Sequence, residues 1–199
     1  MKKFLASLML LVLLSPFALR ADEIIVGNGT STTNIAPFGN CYSYSWVEML
    51  YQSSEIGQAC TITSLAFNCT NPSADYNYAV DLKIYLAEVS KAELTSGNFT
   101  AESDLVLVYE GSSVSIGDEE WETFTLSTPF AYSGENNLAV IVSKGTYSNL
   151  NINWAYTTLA NSILLEFNDN NPAGALYPNA ESQFAGAGYA LNRRPNIKI

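Results

Sequence analysis

The sequence predicts an all-β fold, an antiparallel β-sandwich of about ten strands with a jelly-roll-like arrangement. Three observations predict it. From Trp121 to Tyr132, Phe124, Leu126, Thr128, Phe130 and Tyr132 alternate with Thr123, Thr125, Ser127 and Ala131, the period of a strand with one buried face. Ser133-Gly134-Glu135-Asn136-Asn137 then supplies turn chemistry, because Gly and Asn tolerate positive φ. Leu138 to Val142 follows as a short apolar run, the kind a strand buried on both faces shows.

The remaining elements follow the same logic. Glu23 to Val26 reads as a short first strand, and the Gly, Ser, Thr and Asn after it exclude a helix. Tyr42-Ser43-Tyr44-Ser45-Trp46 alternates rings with small polar residues, and the strand continues toward Tyr51 until Glu55-Ile56-Gly57 breaks it. Ile62 to Phe67 and Asp81 to Val89 are strands. Between Ser90 and Thr95 the capping-box spacing of Ser90 and Glu93 predicts one helical turn. Leu105 to Tyr109 reads as a central strand, and Gly111 to Ile116 continues toward an edge. Gly117-Asp118-Glu119-Glu120 is an acidic turn before the Trp121 strand. Ile152 to Tyr156 and Ile163 to Phe167 are two further strands, a long loop spans Asp169 to Asn192, and Asn196 to Ile199 is the last strand. A loop of that length in a compact domain is usually functional or disordered. No internal repeat or linker divides the chain, so residues 22–199 are expected to form one domain.

Residues 1–21 have the form of a secretory signal peptide: Met1-Lys2-Lys3, an apolar run from Phe4 to Leu14, then a small residue, Ala21, before Asp22. The run is short for a membrane span. Secretion is therefore expected, to the extracellular space, the cell surface or a periplasm, with no membrane span. Cleavage removes Lys2, Lys3 and Arg20 and no acid, so the mature chain is more acidic than the formal charge of −10 for the whole. Such a surface repels nucleic acid and is compatible with divalent cations and neutral glycans. The sequence holds no His, which excludes Ser-His-Asp and Cys-His catalysis and His-containing zinc sites. Carboxylate-only chemistry such as glycoside hydrolysis stays open.

Export permits a disulfide among Cys41, Cys60 and Cys69. Cys60 and Cys69 flank an apparent strand, whose extended length of roughly 30 Å at about 3.3 Å per residue separates them too far to bond. A hairpin of the Tyr42 and Ile62 strands, turning near Glu55 to Gln58, would set Cys41 opposite Cys69. That pair is the expected bridge, with Cys60 buried and free.

With these pieces in order, the chain resembles secreted jelly-roll adhesin modules of Bacteroidetes type, related to the cleaved-adhesin domains of gingipain-type haemagglutinins. The stretches that carry the resemblance are IIVGNGTSTTNIAPF, YSYSWVEMLYQSSEIG, ITSLAF, LKIYLAEVSKAELTS, WETFTLSTPFAYSGENNLAVIV and RRPNIKI. The resemblance implies a jelly roll displayed outside the cell, with roles in adhesion or in binding glycan or protein ligands, often with calcium. Such modules usually sit within larger proteins, whereas this chain is a single module.

Candidate sites are then few. Tyr42, Tyr44, Trp46, Tyr177 and Tyr189 are the glycan candidates, since rings cover the C–H faces of sugars; equally, they could cap the core or serve as β-formers. Arg194 and its neighbour Arg193 offer a bidentate grip on a ligand carboxylate or an ion pair at the core edge. Asp118 and Glu120 in the acidic turn, with Asp169 in the Asp169-Asn170-Asn171 turn, are the candidate calcium ligands, set against plain solvated acids. Glu48, Glu88, Glu110 and Glu166 interrupt apolar strands and are the acids a hydrolase or lyase would pair across a cleft. The expected function is a non-catalytic binding or adhesin module. The alternatives are such a carboxylate enzyme, or a structural subunit lending its terminal strands to a neighbour.

Overall fold

A computed structural model describes residues 23–72, 78–145, 147–148, 151–169 and 188–199. Two antiparallel sheets face each other. The smaller has the order β1-β12-β4-β7, from β1 (Ile25–Val26), β12 (Ile197–Lys198), β4 (Cys60–Asn68) and β7 (Trp121–Tyr132). The larger, eight-stranded sheet runs β11-β10-β3-β8-β5-β6, from β11 (Tyr189–Pro195), β10 (Trp154–Asn168), β3 (Tyr44–Tyr51), β8 (Asn137–Lys144), β5 (Tyr78–Val89) and β6 (Val106–Ser115). Two short strands complete it: β2 (Ser31–Thr33) on β10 and β9 (Tyr147–Ser148) on β5.

The pairings nest. β1 pairs with β12, β3 with β8, β4 with β7 and β5 with β6, so the first strand meets the last and each successive strand meets the one before. β12 then joins β4, and β8 joins β5. A four-rung ribbon rolled so that alternate rungs fall in opposite sheets is a jelly roll. β10 and β11, together with β9, form an insertion between its seventh and eighth strands and extend the large sheet beyond β3.

Alternation builds the core as the sequence predicts. Val47, Met49 and Tyr51 of β3, with Phe124, Leu126, Phe130 and Tyr132 of β7, point between the sheets. Phe38 sits at the centre, 5.1 Å from the Trp154 ring and 5.8 Å from Phe124, with Phe67 edge-on at 6.0 Å. A second buried cluster lies on the other face of the large sheet. Trp46, Leu50, Ala139, Ile141 and Leu164 are packed there against Leu94, Phe99 and Leu105 of a strap, residues 90–105.

Several expectations are corrected. The strap contains no α-helix at 90–95, only a 3₁₀ turn at Glu102–Asp104. Asn161 Nδ2 holds Glu93 at 2.8 Å, so the expected capping glutamate is spent on a neighbouring strand. β6 is one strand where two segments were expected. So is β10, which bends at a bulge between Thr158 and Ile163 with Asn161 at φ 49°. The expected hairpin of β3 and β4 does not form. A single helical turn, α1 (Ser53–Ile56), ends at Gly57 with φ 80° and carries the chain across to the other sheet.

The Cys41–Cys69 bridge fails with that hairpin, and all three cysteines are free thiols. Cys41 is exposed, its Sγ accepting from Asn34 Nδ2 at 3.1 Å, while Cys69 is buried beside Trp154. Cys60 is free as expected but only half-buried. Among the described residues no helix is long and apolar enough to cross a membrane. The expected signal peptide and Tyr177 lie outside the described residues.

Candidate functional site: an aromatic rim on the inserted strands

Two of the candidate rings come together at one end of the large sheet. Tyr42 precedes β3 and packs its ring on Phe167 of β10, with centroids 3.6 Å apart and planes 15° from parallel. Phe167 in turn stacks on Tyr189 of β11, at 5.7 Å and 21°. The row therefore runs from a half-buried ring to one that is 59 % exposed. Strand register explains the meeting. Phe167 is paired with Ser45 on one side, and Leu165, two residues earlier on the same face, is paired with Tyr189 on the other.

Polar groups frame the row. Ser43 donates its amide to Asp169 Oδ1 at 3.0 Å. Lys144, wholly buried at the end of β8, donates from Nζ to the Tyr42 carbonyl at 2.5 Å and to the Ser43 carbonyl at 3.1 Å. Burial pushes the Lys144 ammonium down to about 7, against the upward pull of Asp169 and Cys41. Burial, then the charges of Cys41, Asp169 and Tyr189, push the Tyr42 hydroxyl up. Glu166 lies on the opposite face of β10. Its carboxyl is raised by burial and partly restored by the amides of Gly188, at 2.9 Å, and Phe167.

Comparison with protein-family models, with curated proteins and with solved structures finds no match to this chain. What the rim can do therefore rests on its own geometry. A flat, exposed ring at the end of a rigid stack offers a π face to the C–H side of a sugar, and the Asp169 carboxylate near Tyr42, at the other end of the row, offers a hydrogen-bond acceptor.

The other candidates are placed elsewhere. Trp46 is 2 % exposed and tilted against Tyr85 at 5.6 Å, so it packs under the strap and offers no stacking face. Tyr44 shares Trp46's face of β3 by strand alternation, whereas Tyr42 packs toward the inter-sheet core. Arg194 is also corrected. It is fully buried, bonded to both oxygens of Glu55 at 2.6 and 2.7 Å and to the Leu50 carbonyl at 3.1 Å, and it lies over the Tyr51 ring. It ties β11 to α1 and meets no ligand surface. Asp118 accepts from Ser115 Oγ at 2.6 Å, and the Glu120 carbonyl accepts from the Cys69 amide at 2.7 Å. Among the described residues no three Cys, Asp or Glu side chains gather to hold a metal ion.

The acids considered for hydrolysis each have a structural partner. Glu48 is buried beneath the strap, taking the Thr100 amide at 2.9 Å, its hydroxyl at 2.6 Å and Lys91 at 3.3 Å. Glu88 accepts from the Ser133 amide and hydroxyl, and Glu110 pairs with Lys83 at 3.1 Å.

Sequence reasoning missed Phe167 and Lys144. Phe167 looks like the last core residue of a strand, and its only signal is an aromatic residue directly before an Asn-rich turn. Lys144 looks like an ordinary solvated strand end. Its signal is a lone cation closing a run that is otherwise apolar and buried.

Proposed function

We propose that the protein is an exported, non-catalytic binding module that seats a neutral glycan on the aromatic rim. The observation that carries this reading is the Tyr42–Phe167–Tyr189 row, in which strand pairing fixes Phe167 against β3 and Tyr189 against β10, and which ends in an exposed ring. Stacking suits a sugar because it rewards a flat C–H face without charge, and an acidic chain does not repel a neutral ligand. The secretory character of the first 21 residues and the resemblance to secreted jelly-roll adhesins support the same reading. So does the engagement of Glu48, Glu88 and Glu110 with structural partners, which leaves those acids occupied.

The test is a glycan array probed with the mature chain, once with calcium and once with chelator, alongside a panel of extracellular matrix proteins. Wild type is expected to bind at least one glycan class and Tyr189→Ala to lose that signal. Binding that survives Tyr189→Ala, or binding to matrix proteins alone, overturns the rim as a glycan seat. A signal seen only with calcium assigns the ion a role in the complex.

A further inference from the structure

We infer that Lys144 is the positioning residue of the rim: its buried amine holds the Tyr42–Ser43 backbone, and through it both the Tyr42 ring and the Asp169 carboxylate, where a ligand meets them. This deepens the binding reading and rests on it for its consequence. The connections are continuous. Nζ bonds two successive carbonyls, those of Tyr42 and Ser43. The Ser43 amide holds Asp169. The Tyr42 ring is the inner end of the row that leads through Phe167 to Tyr189.

A lysine suits this task. It carries three donors on a compact head, enough to bridge adjacent carbonyls that face the same way. Its partner across the strand pair is Ser45, a small residue that leaves room for the stem. Burying an ammonium is costly, and an apolar residue would fill the same space, but it would leave both carbonyls without this donor. Tyr42 lies before the first residue of β3, so strand pairing does not order it. Without Lys144 that segment has lost a principal tie to the sheet.

Protonation adds a signature. Among the described residues, the titratable groups that face Lys144 are Asp169 at the end of β10 and Cys41 beside Tyr42, and on β5 Asp81 sits against Gly145. As pH rises through about 7 the ammonium loses its proton, and its bonds to the carbonyls lose their charge-assisted strength. Global stability moves the other way. The folded value lies below the ordinary 10.5, so between about 7 and that value the unfolded chain binds the extra proton and folding gains as pH rises. Rim order is therefore expected to fall while this contribution to stability grows, a pairing that a merely structural lysine does not produce.

The experiment needs no ligand. In mature Lys144→Met, Ser43 amide exchange at pH 6 is expected to speed at least tenfold and the Tyr42 and Tyr189 ring resonances to shift, while the Phe67 amide on β4, paired on both sides, keeps its protection. Unchanged Ser43 protection overturns the inference. Should the variant fail to fold, the wild type between pH 6 and pH 9 decides, with Cys41→Ser as background to remove the thiol. Ring shifts that follow the titration of the Lys144 ε-carbon support the inference, and flat ring shifts or an ε-carbon midpoint above pH 10 overturn it. A glycan array at both pH values separates the two claims. Ring resonances that titrate with no glycan bound at either pH overturn the function and leave the positioning role standing.

Discussion

Four of the eight nested strands of the roll lie in one sheet with the β10–β11 insertion, but roll and insertion are tied down differently. The roll is closed by area: Phe38, Phe67 and Phe124 fill the space between the layers, with Trp154 of β10 packed against them, and nearly every inward position is apolar. The insertion buries Trp154, Ile163 and Leu165 in the same core, and polar seams are added to that burial. Thr157 receives the Asn28 and Gly29 amides, each at 3.1 Å, Asn161 ties β10 to the strap, and Arg194 pins β11 to α1. Hydrophobic burial is indifferent to direction and gives a frame that many sequences can fill. Hydrogen bonds fix direction and place a side chain. The candidate site lies on the region whose geometry is set in the second way.

That contrast can be broken first in the core. Phe67→Ala removes a wholly buried ring from the central cluster and is expected to cost about 3–5 kcal/mol, a drop of roughly 6–20 °C in melting temperature for a domain of this size. Differential scanning calorimetry measures it. A loss below about 1 kcal/mol would mean that the cluster collapses around the gap, against the rigid packing assumed for interiors.

Next comes the seam. Arg194→Met removes one partner of a pair whose guanidinium is fully buried while Glu55 is about a third exposed. The expected cost is about 2–3 kcal/mol, below the usual figure for a wholly buried pair because water reaches the carboxylate. The pair also carries a pH signature. Burial opposes ionisation of Glu55, but the hydrogen bonds and charge of Arg194, with the Gln52 amide, outweigh it and hold the carboxyl below its ordinary 4.5. The stabilisation is thus present above about 4.5 and is lost as pH falls through the lower folded value. Urea melts of wild type and Arg194→Met are expected to converge as pH drops from 5 toward 3, and parallel curves would refute the linkage.

The bend in β10 should matter less. Asn161 sits at positive φ, and its carbonyl accepts the Leu94 amide at 2.7 Å. Asn161→Ala is expected to lose about 1 kcal/mol and Asn161→Gly markedly less. Equal losses would trace the cost to the missing Glu93 contact and leave backbone strain no part in it.

These differences also explain what the sequence revealed. The alternation from Trp121 to Tyr132 and the run after the Asn136-Asn137 turn are local signals of a local periodicity, so the sandwich was legible. Residues 157–162 interrupt the apolar pattern within β10, so one strand looked like two. The expected disulfide fails because it pairs strands that are neighbours in sequence. In a jelly roll the third strand pairs with the sixth, and β4 turns away from β3 to meet β7. The rim is half legible. Tyr42 reads as one ring of an alternating strand and Tyr189 as a ring within a long loop, but their meeting depends on β10 lying between β3 and β11, a long-range register that no spacing encodes. Arg194 misled for the same reason: its partner Glu55 is remote in sequence, and an arginine without a visible partner resembles a ligand contact.

The smallest expected change in stability is the one that most sharpens the comparison. Tyr189 is exposed on the terminal strand of the large sheet and stacks on Phe167. Tyr189→Ala should therefore shift the melting temperature little, within about 0.5 kcal/mol, as for most surface substitutions. If the rim is a ligand seat, the same change should weaken glycan binding by about tenfold or more, since an exposed ring that stacks on a sugar contributes to the complex what it does not contribute to the fold. Calorimetry and binding measured on one preparation separate the two effects. A variant that loses stability and keeps its ligand would place Tyr189 with the frame, and the division between a roll held by area and an insertion that carries recognition would no longer hold.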